Sequence, residues 1–260
     1  MANSLSQLRK LEKAAGNWLL RCLPHKYSLP KWVYAADGFA VRSKDIRCIL
    51  DERFMLAYKA AERLNAEAWP GGVPDVRWRA HVCCWAAHNG LRLEGDFVEC
   101  GVFAGIFSLT VMNYLDFNAT GRHFHLFDTF DGLPVSELPE SEQSMARDIN
   151  KALYFDCFEL AQRNFSGFKH AHLVKGILPG SLDSASIDKI AYLSMDLNSA
   201  SAEEATIERL WPKLVRGGMV VIDDYAFPGH TAQYDMWNRF AAKSGRLILT
   251  VPTGQGILVK

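Results

Sequence analysis

The chain has 260 residues, of which 49% are hydrophobic and 22% are charged, and its formal net charge is zero. This composition fits a globular protein with one sizeable domain and an appendage, and it excludes a strongly basic nucleic-acid-binding protein. No apolar run approaches the roughly 20 residues that cross a bilayer, no signal-peptide layout is seen, and the cysteines lack a C-x-x-C pair. We therefore expect a cytoplasmic protein with reduced cysteines that binds neither membrane nor nucleic acid.

The first 90 residues are predicted to form a helical extension ahead of a domain of residues 91–260. Apolar residues recur at helical spacing over residues 5–22, 51–65 and 76–89. Residues 26–46 are predicted to be an irregular linker. We expect the first helix to pack on the domain or on a second subunit, as in a homo-oligomer. A lid over a substrate and a basic membrane-surface helix are the alternatives.

From Gly95 onward, short buried strands alternate with helices, which is typical of a mostly parallel sheet covered on both faces. The last two strands are joined by only four residues, so we expect them to pair antiparallel. The longest insertion, residues 131–147, is predicted to be a functional polar loop. Strands are predicted at 96–100, 123–129, 171–177, 190–197, 219–223, 246–251 and 256–260, and helices at 106–118, 148–165, 202–214 and 231–243.

A strand-turn-helix pattern occupies residues 96–112. The strand ends near Glu99, and Gly101 and Gly105 lead into a helix, which places backbone N–H groups and one carboxylate beside a nucleoside ligand. Phe103 stands where a complete G-x-G-x-x-G would have another glycine. The pattern therefore predicts a nucleoside site without specifying the nucleoside.

Acidic residues recur at the carboxyl ends of the predicted strands. A single acid there is usually a turn former or a helix N-cap, and Asp223 with Asp224 has that alternative for a helix beginning near residue 229. Asp128 suits ribose hydroxyls, and Glu99 suits a cationic or amino group near the turn. Asp196 joins Asp223 and Asp224 at neighbouring strand ends, and three carboxylates without Cys or His favour a hard cation such as Mg²⁺.

Four stretches together resemble the macrocin O-methyltransferase-like family of class I S-adenosylmethionine-dependent methyltransferases. They are GDFVECGV at 95–102, FDTFDGLP at 127–134, GGMVVIDDY at 217–225 and PTGQG at 252–256. The resemblance implies a Rossmann-like α/β fold whose seven-stranded sheet has its last strand inserted antiparallel. It also implies S-adenosylmethionine as cofactor. The methionine part would lie at Glu99, Gly101 and Gly105, the ribose at Asp128, with Ser108 and Thr129 nearby.

The same resemblance implies that Asp196, Asp223 and Asp224 hold Mg²⁺, which in turn holds the hydroxyl groups of the acceptor. The sequence departs from the family's Asp-x-Asp-Leu-Tyr pattern, because residues 194–198 read SMDLN. Asp196 is expected to be ligand and proton acceptor, and His230 is a second catalytic candidate, although a lone loop histidine is more often structural.

The leading hypothesis is an Mg²⁺-dependent O-methyltransferase acting on a hydroxyl of a small metabolite, with sugar-containing natural products among the candidates. The 131–147 loop and the N-terminal segment are expected to cover the acceptor. One alternative is a catalytically altered, methyltransferase-like subunit that binds S-adenosylmethionine. The other is a nicotinamide-dependent oxidoreductase, against which Phe103 and the lack of a Tyr-x-x-x-Lys pair both count.

Overall fold

A computed structural model of the chain describes residues 32–260, which fall into two compact units divided between Ile46 and Arg47. The described part of the first unit is an antiparallel hairpin of strands β1 (Trp32–Ala36) and β2 (Phe39–Arg42). Asp37 and Gly38 both have positive φ, as a two-residue hairpin turn requires. The predicted irregular linker is therefore wrong over these strands, because the Asp-Gly turn signal was overlooked. The helix predicted at 5–22, and the oligomer predicted through it, lie outside the described residues.

The second unit is built on a seven-stranded sheet with the order β5-β4-β3-β6-β7-β9-β8. All neighbouring pairs are parallel except those of β9, which is antiparallel to both β7 and β8. The predicted strands and their antiparallel closing pair are therefore confirmed. The strands are β3 (Asp96–Cys100), β4 (Phe124–Asp128), β5 (Ala171–Lys175), β6 (Ile190–Met195), β7 (Leu214–Ile222), β8 (Ile248–Thr250) and β9 (Gly256–Val259).

Helices flank this sheet, and two of them differ from prediction. A helix begins at Glu140 inside the predicted 131–147 loop, and the predicted 148–165 helix is two helices separated by four residues, 154–157, of which Tyr154 is extended. The first of them begins with five polar residues, 140–144, and its apolar residues come later (Met145, Ala146, Ile149, Ala152 and Leu153), so the sequence pattern placed its start too far along the chain. The helices are α1 (Glu52–Asn65), α2 (Arg77–Gly90), α3 (Ile106–Leu115), α4 (Glu140–Leu153), α5 (Phe158–Phe165), α6 (Ala200–Leu210) and α7 (Thr231–Lys243).

Apolar side chains alternate between the two faces of the sheet. On one face the ring of Phe97 contacts those of Phe117 and Tyr192, and on the other Val98 packs in one cluster with Trp237 of α7. Helix α1 packs along α3, and α2 packs against β6 and β7. The boundary predicted between residues 90 and 91 therefore falls inside the second unit, because α1 and α2 complete its core. No helix within residues 32–260 is long and apolar enough to span a membrane.

Candidate active site

A cavity of about 290 Å³ opens at the carboxyl ends of the parallel strands. Seven of the predicted site residues line it: Glu99, Gly101, Asp128, Thr129, Asp196, Asp223 and Asp224. The remaining predicted residues, Gly105, Ser108 and His230, are not among its lining residues. The sheet thus brings the predicted nucleoside residues and the predicted metal ligands into one space.

The glycine turn between β3 and α3 depends on its two glycines. Gly101 has φ +87° and lies so close to the end of β6 that a Cβ would stand 1.8 Å from the carbonyl oxygen of Asp196. Gly105 has φ +93° and caps α3, with the ring of Phe165 in the space that a Cβ would need. Both positions accept glycine alone, because conformation and space each exclude a side chain.

Phe103 occupies the position of the missing glycine and adopts a glycine-like conformation, with φ +49°. Its ring lies 5.7 Å from that of Trp69, 5.4 Å from Tyr154 and 5.6 Å from Phe155, measured between centroids. A left-handed conformation costs a non-glycine residue on the order of 1 kcal/mol, which these aromatic contacts offset. The departure from the glycine pattern therefore gives the cavity an aromatic wall.

Glu99 is a carboxylate that is 2% exposed and lines the cavity. Its Oε2 atom has no hydrogen-bond partner. The pKa of Glu99 is raised to about 8, mainly by burial and in part by the negative charges of Asp223 and Asp128, while the Ser108 hydroxyl opposes the shift. A buried carboxylate with an unpartnered oxygen is suited to a ligand that brings a positive charge or an N–H donor. Ser108, in α3, is completely buried.

Asp128 joins the end of β4 to the glycine turn. Its Oδ2 accepts the backbone N–H groups of Val102 at 2.6 Å and Phe103 at 2.8 Å. Its Oδ1 accepts the N–H of Phe130 at 2.6 Å. The Thr129 hydroxyl is 3.3 Å from Oδ1, but its single proton has a shorter partner in the Gly132 carbonyl at 2.5 Å. A carboxylate offers about four acceptor sites, so three are filled by backbone N–H groups and one is open.

Asp196, Asp223 and Asp224 each place an oxygen within 4.8 Å of the other two. They converge because β6 and β7 are adjacent parallel strands, and the N–H of Asp223 donates to the carbonyl of Met195 at 2.9 Å. Burial raises the pKa of Asp196 well above its ordinary value, and the two neighbouring carboxylates add to this. An all-oxygen set of three suits a hard cation. Helix α7 has His230 at its N-cap, so the helix-capping alternative is not observed.

Two residues that the sequence analysis did not single out hold Asp223. The Nη1 atom of Arg79, from α2, lies 2.5 Å from Oδ2, and the side-chain amide of Gln255 donates to Oδ1 at 2.9 Å. The Arg79 guanidinium lies over the rings of Phe107 and Phe227, at 5.3 and 5.5 Å from their centroids. The sequence contains little sign of this ion pair, because Arg79 lies 144 positions from Asp223, in a helix predicted to belong to the N-terminal extension.

His230 lies behind the aspartates. Its Nδ1 is 3.9 Å from Asp224 Oδ2 and 2.5 Å from the Oε1 atom of Gln233. Because His230 contacts Asp224 from outside the cavity, its position suits orientation of that carboxylate.

Glu203 of α6 connects the same region to the end of β6. It accepts hydrogen bonds from Trp237 Nε1 at 2.6 Å, Gln233 Nε2 at 2.9 Å and the N–H of Leu197 at 3.2 Å. Leu197 follows Asp196, so this buried carboxylate fixes the backbone that presents Asp196. Glu203 could not be identified from the sequence because an acid within a helix usually faces solvent.

Helix α4 ends at the cavity, which its last residue, Leu153, lines, and it is held by contacts near both of its ends. The Glu142 carboxylate accepts hydrogen bonds from the hydroxyls of Ser199 at 2.5 Å and Ser201 at 3.2 Å, at the start of α6. The hydroxyl of Tyr154, just past α4, is 3.5 Å from the amide of Asn198, which donates to Asp196 Oδ1 at 3.1 Å. Asn198 stands where the family has tyrosine, and it tolerates its φ of +53°.

This arrangement agrees with comparisons to known proteins. The family model described as macrocin-O-methyltransferase (TylF) matches residues 56–245. The chain belongs to this family. The resemblance inferred from the four motifs is thereby confirmed.

Two members with known roles are similar over part of their length. The mycinamicin III 3''-O-methyltransferase of Micromonospora griseorubida is 29% identical over 149 residues, covering 52% of this chain and 57% of that protein. The demethyldecarbamoylnovobiocin O-methyltransferase of Streptomyces niveus is 31% identical over 147 residues, covering 52% and 55%. The matched segment thus spans little more than half the length of these relatives.

Solved structures confirm the fold class. The O-methyltransferase NovP superposes with a TM-score of 0.65 at 22% identity, covering 83% of this chain and 99% of that one. The calicheamicin methyltransferase CalS11 gives a TM-score of 0.52 at 15% identity, covering 87% and 96%. The macrocin-O-methyltransferase family member described here therefore has the class I methyltransferase fold that its sequence predicts.

Proposed function

We propose that this protein is an S-adenosylmethionine-dependent O-methyltransferase that methylates a hydroxyl of a small natural-product or sugar-containing acceptor, with Mg²⁺ at the aspartates. Family membership supports the reaction class. The observation on which the proposal rests is that the unpartnered carboxylate of Glu99 and the cluster Asp196, Asp223 and Asp224 face the same cavity. One end is suited to a cationic methyl donor, and the other is suited to a cation that orients an oxygen.

The cofactor residues fit the methionine end of the donor. When bound, S-adenosylmethionine supplies a sulfonium methyl group to an attacking oxygen, and S-adenosylhomocysteine leaves as a neutral sulfide. Glu99 pairs with the amino group of the methionine, which compensates the cost of burying its charge. Asp128 accepts a ribose hydroxyl at the one site that the three backbone N–H groups leave open.

The three aspartates suit a divalent cation, although the positive charge of Arg79 stands beside them. Bound Mg²⁺ would lower the pKa of an acceptor hydroxyl and fix its direction. Asp196, Asp223 and Asp224 would hold the ion. Arg79 compensates part of their negative charge, so we expect modest affinity for the ion.

Asp196 is the residue we assign to proton transfer. It lines the cavity, and its backbone is fixed by Glu203 through Leu197. The Asp196 carboxylate takes the proton that the acceptor hydroxyl loses as its oxygen bonds to the methyl carbon. His230 orients Asp224 and transfers no proton. Methyl transfer needs an in-line approach, so fixed positions for these carboxylates contribute directly to the rate.

The acceptor is expected to combine hydroxyls with an apolar body. The relatives' names specify a mycinamicin, a novobiocin precursor and a rhamnosyl tetracenomycin. The side chains that line the cavity with the aspartates include four aromatic ones: Trp69, Phe103, Phe107 and Phe227. Apolar walls of this kind bury a hydrocarbon or aromatic portion while the carboxylates hold the hydroxyl groups.

A turnover screen tests the proposal. The full chain is incubated with S-adenosylmethionine and a panel of glycosylated and phenolic natural products, in Mg²⁺ or in EDTA, and S-adenosylhomocysteine release is followed. We expect release that depends on both an acceptor and Mg²⁺. Equal release in EDTA would contradict the metal assignment. Binding of S-adenosylhomocysteine without turnover on any acceptor would favour a non-catalytic subunit, and binding of NADH instead would favour an oxidoreductase.

A further inference from the structure

Four histidines form an array at the amino ends of two strands, whereas the cavity lies at the carboxyl ends. His123 and His125 stand at the amino end of β4, and His170 and His172 stand at the amino end of β5. His125 is paired with His172 in the parallel register, and the N–H of Phe124 donates to the carbonyl of His170 at 2.9 Å. Residues two apart in a strand share a face, so both His-x-His pairs point the same way.

The rings of the array are in contact. Centroid separations are 4.9 Å for His123 with His172, 5.2 Å for His123 with His170, and 5.3 Å for His125 with His172. The Nδ1 atom of His123 is 2.7 Å from the Nε2 atom of His172. One of these two nitrogens must be unprotonated, since two N–H groups would clash at that distance.

His125 is the buried member of the array. It is 7% exposed, and neither ring nitrogen has a hydrogen-bond partner. The nearest carboxylate oxygen, Oδ2 of Asp96, is 3.6 Å from its Nε2. Neutral imidazole is the form that binds metals, and buried nitrogens without partners are uncommon.

We propose that this array binds a divalent transition-metal ion of the Zn²⁺ or Cu²⁺ type, with His123 and His172 as the first two ligands and His170 as the third. Imidazole nitrogens prefer such ions, whereas Mg²⁺ prefers oxygen, so the two ends of the sheet select different metals. His125 stacks on His172 behind this shell, with Asp96 on its other side.

The geometry requires only a small adjustment. Metal–nitrogen bonds of about 2.05 Å at a tetrahedral angle place two ligand nitrogens about 3.3 Å apart. The present separation of 2.7 Å therefore opens by rotation of His123, which is exposed. Within residues 32–260, the aspartates are the group of three candidate ligands whose atoms already lie within 4.8 Å of one another. The three histidines are further apart, so the side chain of His170 has to turn toward the other two. The bound ion would join β4 to β5.

The test measures Zn²⁺ binding to the full chain, stripped with EDTA and then held in excess Mg²⁺ to occupy the aspartates. Affinity is measured by competition with a chromogenic zinc indicator. His123→Gln and His172→Gln remove a ligand each, and His88→Gln is the control, because His88 is exposed on α2 and outside the array. We expect one strongly bound Zn²⁺ in the wild type and the control, and at least about tenfold weaker binding in each array variant.

A second readout identifies the ligand atoms. Bound Cu²⁺ is expected to show nitrogen hyperfine splitting in its paramagnetic resonance spectrum, and His123→Gln should reduce it. Wild-type protein that binds no zinc would overturn the proposal, as would equal affinity in His123→Gln and His88→Gln. Loss of zinc on Asp223→Asn, with no loss on His123→Gln, would place the ion at the aspartates instead. If His172→Gln does not fold, His123→Gln decides, because His123 is at the surface.

Discussion

Arg79 Nη1 lies 2.5 Å from Asp223 Oδ2, so a fixed positive charge stands beside the carboxylates proposed to hold Mg²⁺. Three carboxylates with oxygens within 4.8 Å of one another repel strongly where water is scarce. Arg79 therefore stabilises the cluster when no ion is bound, and it competes with the ion when one is present.

Arg79→Met should make stability depend on metal. Removing one partner of a buried ion pair costs about 3 kcal/mol, which lowers the Tm of a protein of this size by about 6–12 °C. Mg²⁺ should recover much of this loss in the variant and have a smaller effect on the wild type. The measurement is Tm by differential scanning fluorimetry in EDTA and in Mg²⁺.

Arg77→Met is the matched control, because Arg77 is the first residue of the same helix and pairs with Asp75, which precedes the helix and lies outside the cluster. Its Tm should respond to Mg²⁺ as the wild type does. An Arg79→Met variant whose Tm is the same in EDTA and in Mg²⁺ would contradict metal binding at the aspartates.

Asp196→Asn should abolish turnover and leave cofactor binding largely intact. The substitution keeps the shape of the side chain but removes the proton acceptor, which we expect to cost about 10²–10⁴-fold in rate. Release of S-adenosylhomocysteine gives the rate, and calorimetry gives the affinity for S-adenosylhomocysteine. Asp188→Asn, at an exposed position outside the cavity, should behave as the wild type does. Normal turnover in Asp196→Asn would remove Asp196 from the mechanism.

Glu99 should make the ligand-free protein less stable as pH rises. Its folded pKa of about 8 lies above the value of 4.5 for a free glutamate, so the folded state holds a proton that the unfolded state has lost. Stability from this proton is complete below pH 4.5 and is lost by about pH 8.

Glu99→Gln removes this dependence because glutamine does not titrate. The free energy of unfolding of the variant, relative to wild type, should rise by about 2–3 kcal/mol between pH 6 and 8.5. Urea denaturation at the two pH values measures it. The same difference at both pH values would show that folded Glu99 is already ionised at pH 6. The variant should also bind S-adenosylhomocysteine more weakly at either pH.

Phe103 allows the backbone conformation to be tested apart from the ring. Phe103→Ala and Phe103→Gly lose the same contacts with Trp69 and Tyr154, yet only alanine is strained at φ +49°. The glycine variant should therefore be more stable than the alanine variant by about 1 kcal/mol, opposite to the order in a helix. Urea denaturation compares them. An alanine variant of equal or greater stability would mean that the turn relaxes once the ring is gone.

The sequence predicted those parts of the fold that depend on local pattern. Seven apolar strands and the glycine turn follow from periodicity and from residues that tolerate positive φ, and the aspartates follow from where strands end. The start of helix α4 was not predicted because residues 140–144 are all polar and are held by contacts such as Glu142 with Ser199, 57 positions away.

Three residues of the site could not be predicted from the sequence, for a different reason. Arg79, Gln255 and Glu203 act through partners remote in sequence, and each has an ordinary surface-like residue type. Only the tertiary fold reveals that α2 brings Arg79 to Asp223. Asp128 shows the converse, because its position was predicted but its engagement with the N–H groups of Val102 and Phe103 was not.

Gln255, which donates to Asp223, gives the closing hairpin a part in the order of assembly. The glycine turn, Glu99 and Asp128 lie within residues 96–132 and can organise around β3 and β4 early in folding. Asp223 obtains its amide partner only after β9 has paired with β7, a contact spanning 32 positions. The methyl-donor half of the cavity needs β3, β4 and β6 but not the closing hairpin. The acid half needs that hairpin as well, so a change in the 252–256 turn should affect metal binding more than binding of S-adenosylhomocysteine.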